Sequence, residues 1–212
     1  MVLTDTHTHL YLGEFSEDLN EVVNRAFAKK VTRLFIPSIC YKHYKPMLNL
    51  KNKFPNNIFL MSGLHPCYVN ENYEFELDHV KMFIDKNDIV AVGEIGIDLH
   101  WKKDNLDLQI NIFKDQIDIA NKYNLPVVIH CRDSLTEILK VLKNKQVNCG
   151  GVFHCFTGNI EDAKQIIDLG FKLGIGGVVT FKNGKIDKFL NQIDKKNIVL
   201  ETDSPYLAPT PH

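Results

Sequence analysis

Apolar residues along this chain fall into two alternating rhythms. Short runs rich in Val, Ile, Leu and Phe at 2–9, 32–38, 58–66, 89–96, 125–132, 150–156, 171–177 and 197–203 have the length and branched-residue content of strands. Between them lie stretches in which apolar positions recur every three or four residues, the period of a one-faced helix. The first, 16–30, puts Leu19, Val22, Val23, Ala26 and Phe27 on one stripe and opens on Ser16, a residue suited to an N-cap. The longest, 105–123, aligns Leu106, Ile110, Phe113, Ile117 and Ala120. The same pattern predicts helices near 43–53, 75–85, 134–144, 160–168 and 184–193.

Eight strands alternating with seven helices imply parallel pairing through right-handed crossovers. The economical α/β architecture is a (β/α)8 TIM-like barrel, expected here as a single domain over 1–212. An open doubly wound sheet is the competitor, but no G-x-G-x-x-G turn follows the first strand. Ionisable residues separate the two. His7 and His9, His65, Glu94, His130, His154 and Asp203 all fall at C-terminal strand ends. A barrel gathers those ends at one mouth, whereas an open sheet spreads them along a line.

Leaving His65 aside, the set offers four imidazoles and two carboxylates, with no thiolate. Those donors suit Zn, Mn or Mg, and they suit two divalent ions better than one, because a single site takes about four protein ligands at most. Paired ions ~3.5–4 Å apart promote hydrolysis of phosphate esters or amides. One histidine at a strand end is an ordinary hydrogen-bonding residue; six aligned groups at one rim read as a site.

Composition narrows the classes without choosing among them. The chain has 44% hydrophobic and 24% charged residues with a formal net charge of -1, so any phosphate partner must be handled locally rather than by a global field. The longest apolar runs, such as Val127-Val128-Ile129, fall far short of the ~20 residues of a membrane span. No secretory leader is visible, and the five cysteines lack C-x-x-C spacing, which reads as reduced thiols in a cytoplasmic protein.

"DTHTHL" (5–10), "GLHP" (63–66), "VGEIGID" (92–98), "PVVIHCRDS" (126–134), "VFHCFTG" (152–158) and "ETDSPYLAP" (201–209) together resemble the TatD-type metal-dependent DNase family of the amidohydrolase superfamily. The resemblance spans nearly the whole chain and implies a deoxyribonuclease with a binuclear centre. His7, His9, Glu94 and Asp203 would hold one ion, with Glu94 bridging to a second held by His130 and His154. Asp203 would orient or deprotonate the attacking water, and His65 would contact the substrate phosphate or assist proton transfer. Arg132, two residues past His130 and on the same face, is placed either to hold a phosphate oxygen or to form a rim salt bridge with Asp133 or a neighbouring helix. DNA is the expected substrate, with no membrane and no stable protein partner.

Smaller signals stay open between site and scaffold. Gly176-Gly177 permits close backbone approach, as in a phosphate loop, or a plain turn. Thr157-Gly158-Asn159 reads better as a helix cap than as an anion site. Asp98 is expected to support the rim, and Trp101 to stack on a base or cover the mouth. Cys131 and Cys155 each follow a candidate ligand and are expected to pack behind the helices. Two features depart from the family pattern. Cys67 stands where a second histidine often follows "HP", and the chain stops at His212, without the final helix expected after the eighth strand. A partner or self-association could then cover the exposed outer surface. Two other functions compete: cleavage of C–N bonds in a small molecule, and metal binding without turnover in a truncated chain.

Overall fold

In the computed structural model, which describes residues 2–212, eight strands run parallel in one sheet in chain order. They are β1 (Leu3–Asp5), β2 (Val31–Ile36), β3 (Ile58–Ser62), β4 (Ile89–Asp98), β5 (Val127–Arg132), β6 (Gly151–Phe153), β7 (Phe171–Ile175) and β8 (Ile198–Leu200). The helices among the described residues are α1 (Leu19–Ala28), α2 (Tyr44–Lys53), α3 (Tyr73–Lys86), α4 (Leu106–Tyr123), α5 (Leu135–Asn144) and α6 (Ile160–Asp168). The ring closes between β8 and the residues just past β1. Thr6 N donates to Leu200 O at 3.0 Å, Asp203 N to His7 O at 2.9 Å and His9 N to Ser204 O at 2.8 Å. The Asp5 carboxylate braces the seam by accepting from Thr202 N and Thr202 Oγ1 at 3.0 and 2.7 Å. The fold is the nearly closed TIM-like barrel that the alternation predicts.

Side chains pointing outward from the strands meet the helices in one large apolar cluster, to which α4 contributes Ile112, Phe113, Ile117 and Ala120. A separate small cluster of Met61, Ala91 and Val128, with Phe35 against it, takes the other strand face. By the two-residue alternation of strands, that face is the barrel interior, and His130 follows Val128 on it. The polar rim therefore sits on an apolar plug.

Several expected boundaries move. Residues 6–9, 63–66, 154–156, 176–177 and 201–203 lie beyond their strands, because ladder pairing stops where the chain turns outward to form the mouth. β4 instead runs on to Asp98. Ser16 does not cap α1: it ends a 3-10 turn (Gly13–Phe15), and α1 starts at Leu19 with no side-chain cap. The helix expected at 184–193 is replaced by the 3-10 turns Ile186–Lys188 and Leu190–Gln192. Ile186, Phe189 and Ile193 are buried there, so the apolar spacing was genuine, but so short a segment follows packing rather than the α period. At the seam, Val2 and Leu200 are exposed, at 55% and 57%. No helix among the described residues is long and apolar enough to cross a membrane.

Candidate metal centre

Glu94 is the hub of the mouth. Pairing between β4 and β5 slips between Val92 and Ile95, and at this slip Glu94 N donates to Ser38 O at 2.8 Å instead of joining the regular ladder. Such a bulge re-aims a side chain, here into the barrel. One carboxylate oxygen, Oε2, lies 3.4 Å from His7 Nε2 and 3.8 Å from His9 Nε2. The other, Oε1, lies 2.8 Å from both His130 Nδ1 and His154 Nε2, and 3.4 Å from His65 Nε2. Asp203 Oδ1 joins the first group, 3.7 Å from His7 Nε2 and 3.4 Å from His9 Nε2. The structure thus brings together all seven residues picked from the strand ends.

Burial and charge work against each other here. Burial pushes the Glu94 carboxyl up, but the imidazoles of His154, His65 and His130 outweigh it and hold the group well below the usual carboxylate range. Burial likewise opposes ionisation of Asp203, yet His9 and His154 bring it down. Burial lowers His7 and His65, whereas His154 is raised well above its ordinary value because Glu94 and Glu201 overcome the burial. Two ionised carboxylates in a dry pocket demand positive charge between them and their neighbours.

Divalent metal ions would meet that demand. Three donor sets lie with their ligand atoms within 4.8 Å of one another: His7, His9 and Glu94; His7, His154 and Asp203; and His65, Glu94 and His130. Ligands ~2.0–2.1 Å from a tetrahedral zinc stand ~3.4 Å apart. The 3.2 Å between His7 Nε2 and His9 Nε2, with the 3.4–3.8 Å from these nitrogens to Glu94 and Asp203, fits that spacing. The nitrogen and oxygen donors also fit the hard-to-borderline ions.

Behind these donors stand residues that the sequence reading assigned no such part. Asp98 is fully buried, and its Oδ2 lies 2.9 Å from His130 Nε2. Glu201 is buried against the other histidine, with Oε1 3.7 Å from His154 Nδ1 and accepting from Cys155 N. Two glutamines on the apolar side of α4 fix strand ends. Gln116 pairs with both Leu64 N and Leu64 O, at 2.7 and 3.0 Å, and Gln109 with Asp98 N at 2.8 Å. The available signal was polarity in the wrong place: Gln109 and Gln116 are seven residues apart on a buried stripe.

The mouth opens into two adjoining cavities. One, ≈ 380 Å³, reaches from Glu94 and Asp98 to Tyr68, Trp101 and Tyr206. The other, ≈ 320 Å³, reaches toward Thr157, Val178 and Phe181. Arg132 lines both, and Asp133 pairs with His100 Nδ1 at 3.1 Å rather than with Arg132. Cys67 lines the larger cavity, where burial and the nearby Asp98 carboxylate push its thiol up to about 12. Asn159 caps α6 through a reciprocal box with Asp162, so the 157–159 stretch is a helix cap as expected. Gly177 is approached by the backbone of Leu207, so that close contact is internal to the chain. Cys131 packs against the main apolar cluster and also lines the smaller cavity, and Cys155 shares that cavity. The Cys155 backbone enters the left-handed region (φ 47°).

A TIM-like barrel whose mouth gathers imidazoles around buried carboxylates is the architecture of a metal-dependent hydrolase. Comparison with known proteins gives the same class and then narrows it. A profile of the family described as TatD related DNase matches residues 4–212, and the chain belongs to that family. The uncharacterized metal-dependent hydrolase YabD of Bacillus subtilis (strain 168) is 35% identical over 212 residues, 99% of this chain and 83% of the relative. YcfH of Escherichia coli (strain K12), described in the same words, is 32% identical over 217 residues, 100% of this chain and 81% of its own. The crystal structure of YjjV, a TatD homologue from Escherichia coli K12, superposes with a TM-score of 0.93 at 27% identity, covering 99% of this chain and 82% of that one.

Proposed function

We propose that this hydrolase cleaves phosphodiester bonds of DNA at a centre of two divalent ions. The observation that carries the reading is the division of Glu94: one oxygen faces His7 and His9, the other His130, His154 and His65. A carboxylate shared in this way is what a bridged pair of ions requires. Zn, Mg or Mn bound there would supply positive charge against the phosphate and acidify water. The chain's own residues then divide the remaining work. Asp203 Oδ1 orients the attacking water and accepts its proton. His65 meets the phosphate or returns a proton to the leaving oxygen. Arg132 holds a phosphate oxygen at the junction of the two cavities, where its planar guanidinium can take two oxygens at once. A cytoplasmic location accompanies this reading, supported by five cysteines that are all free thiols.

The test is direct. Purified protein with Mg, Mn or Zn is expected to degrade a single-stranded oligonucleotide, and a chelator to abolish the reaction. Intact DNA with cleavage of a dihydropyrimidine-like amide would transfer the site to C–N hydrolysis. No turnover of either would leave a metal-binding protein.

A further inference from the structure

We infer that Asp98 is a positioning residue with two separate tasks. One oxygen dictates which ring nitrogen His130 presents to Glu94, and the other holds the rim loop that carries Trp101. The inference rests on the metal-dependent reading of the same histidines, not on the identity of the substrate.

Asp98 lies four residues after Glu94 on β4 and is fully buried. Its Oδ2 is 2.9 Å from His130 Nε2, while His130 Nδ1 is 2.8 Å from Glu94 Oε1 and 3.2 Å from His65 Nε2. An ionised carboxylate only accepts hydrogen bonds, so the short contact with Asp98 holds a proton on His130 Nε2. Nδ1, which faces the other candidate donors, is then the nitrogen that can exchange its proton for a cation. The 2.8 Å from Nδ1 to Glu94 Oε1 is a hydrogen-bond separation, shorter than the ~3.4 Å between zinc ligands, so an entering cation would take the place of the proton shared there while Asp98 keeps the one on Nε2.

The second oxygen, Oδ1, accepts from His100 N at 2.9 Å and from Trp101 N at 2.6 Å. Gln109 locks the base of the same loop by donating to Asp98 O at 3.2 Å and Lys102 O at 2.7 Å. Trp101 is the chain's only tryptophan, is 69% exposed and lines the same cavity as His130. A single carboxylate therefore joins the floor of the mouth to its aromatic edge.

Asp98→Asn separates the two tasks. The two backbone donors fix the amide oxygen on the loop side, so the amide nitrogen is turned toward His130 Nε2. A donor placed there drives the proton to Nδ1, the nitrogen that faces Glu94. Asp98→Ala removes both contacts. Zinc affinity, read by competition with a chromophoric chelator, is expected to fall ~10–100-fold in both variants. Long-range proton–nitrogen correlation of metal-free protein should show His130 Nε2 protonated in the parent chain, and unprotonated with the proton on Nδ1 in Asp98→Asn. Trp101 fluorescence anisotropy should stay at the parent value in Asp98→Asn and drop in Asp98→Ala. Zinc affinity in Asp98→Asn within about twofold of the parent, or retention of the proton on Nε2, overturns the first task. Unchanged anisotropy in Asp98→Ala overturns the second. A parent chain that binds no zinc removes the metal reading, and the tautomer measurement still decides the role of Asp98. Should Asp98→Ala not fold, anisotropy of Asp98→Glu replaces it, since the longer side chain displaces the oxygen from both amides.

Discussion

Glu94 carries more of this site than any neighbour, and its position follows from a local event, the slip in β4–β5 pairing that turns it inward. Because its two oxygens face different histidines, replacing it should not empty one half of the site alone. On the proposed two-ion reading, elemental analysis of Glu94→Gln is expected to show both ions lost together. Affinity should fall by more than the ~10–100-fold typical of an outer partner. Retention of one ion at parental affinity would mean that Glu94 is not shared. The imidazoles that meet the Glu94 carboxylate were all legible at strand ends. Asp98 was legible only as rim support, and Glu201 not as a partner of His154. A carboxylate that contacts protein rather than ligand has no mark in sequence that separates it from any other rim acid.

Helix α4 does two jobs with one face. Phe113, Ile117 and Ala120 pack against the sheet, and between them Gln109 and Gln116 reach across to the ends of β4 and of the segment after β3. Gln116 grips Leu64, the residue before His65, through both its N–H and its carbonyl. Gln116→Leu preserves the helix's apolar character but strips both bonds. The expected loss is ~1–3 kcal/mol for each backbone group left unpaired, read from urea unfolding. An unchanged urea midpoint would show that the carbonyl and N–H of Leu64 find other partners. The helix itself was plain from its periodicity, apart from one residue at its start. Its glutamines were not, since their partners Asp98 and Leu64 lie 11 and 52 positions away in the chain.

The ring as a body depends on its seam. Asp5 on β1 accepts from His7 N, Thr202 N and Thr202 Oγ1, and so binds the first candidate ligand to the segment that carries the last. Asp5→Ala leaves three donors, the buried His7 N among them, without this acceptor. It is expected to destabilise the chain by ~2–5 kcal/mol and to weaken zinc binding along with stability, because His7 and Asp203 stand on opposite sides of the seam. Full zinc affinity in a destabilised Asp5→Ala protein would show that the two sides are held in register by other contacts.

The alternation of short apolar runs with three-to-four-residue stripes was enough to determine the strands, most of the helices and their parallel order, and the ionisable residues at the strand ends then chose a closed barrel over an open sheet. Those features are written locally, in which face of each element is apolar. Chain order also determined that the ionisable residues share one rim, since every one lies in the C-terminal half of a strand or just past it. Tertiary structure alone decided where strands stop and that 184–193 forms 3-10 turns. It also decided which rim groups meet: Asp98 on His130, Glu201 on His154, Asp5 on Thr202 across 197 positions. Such contacts depend on a few ångströms of approach between distant segments, and distance of that kind leaves no period in a sequence.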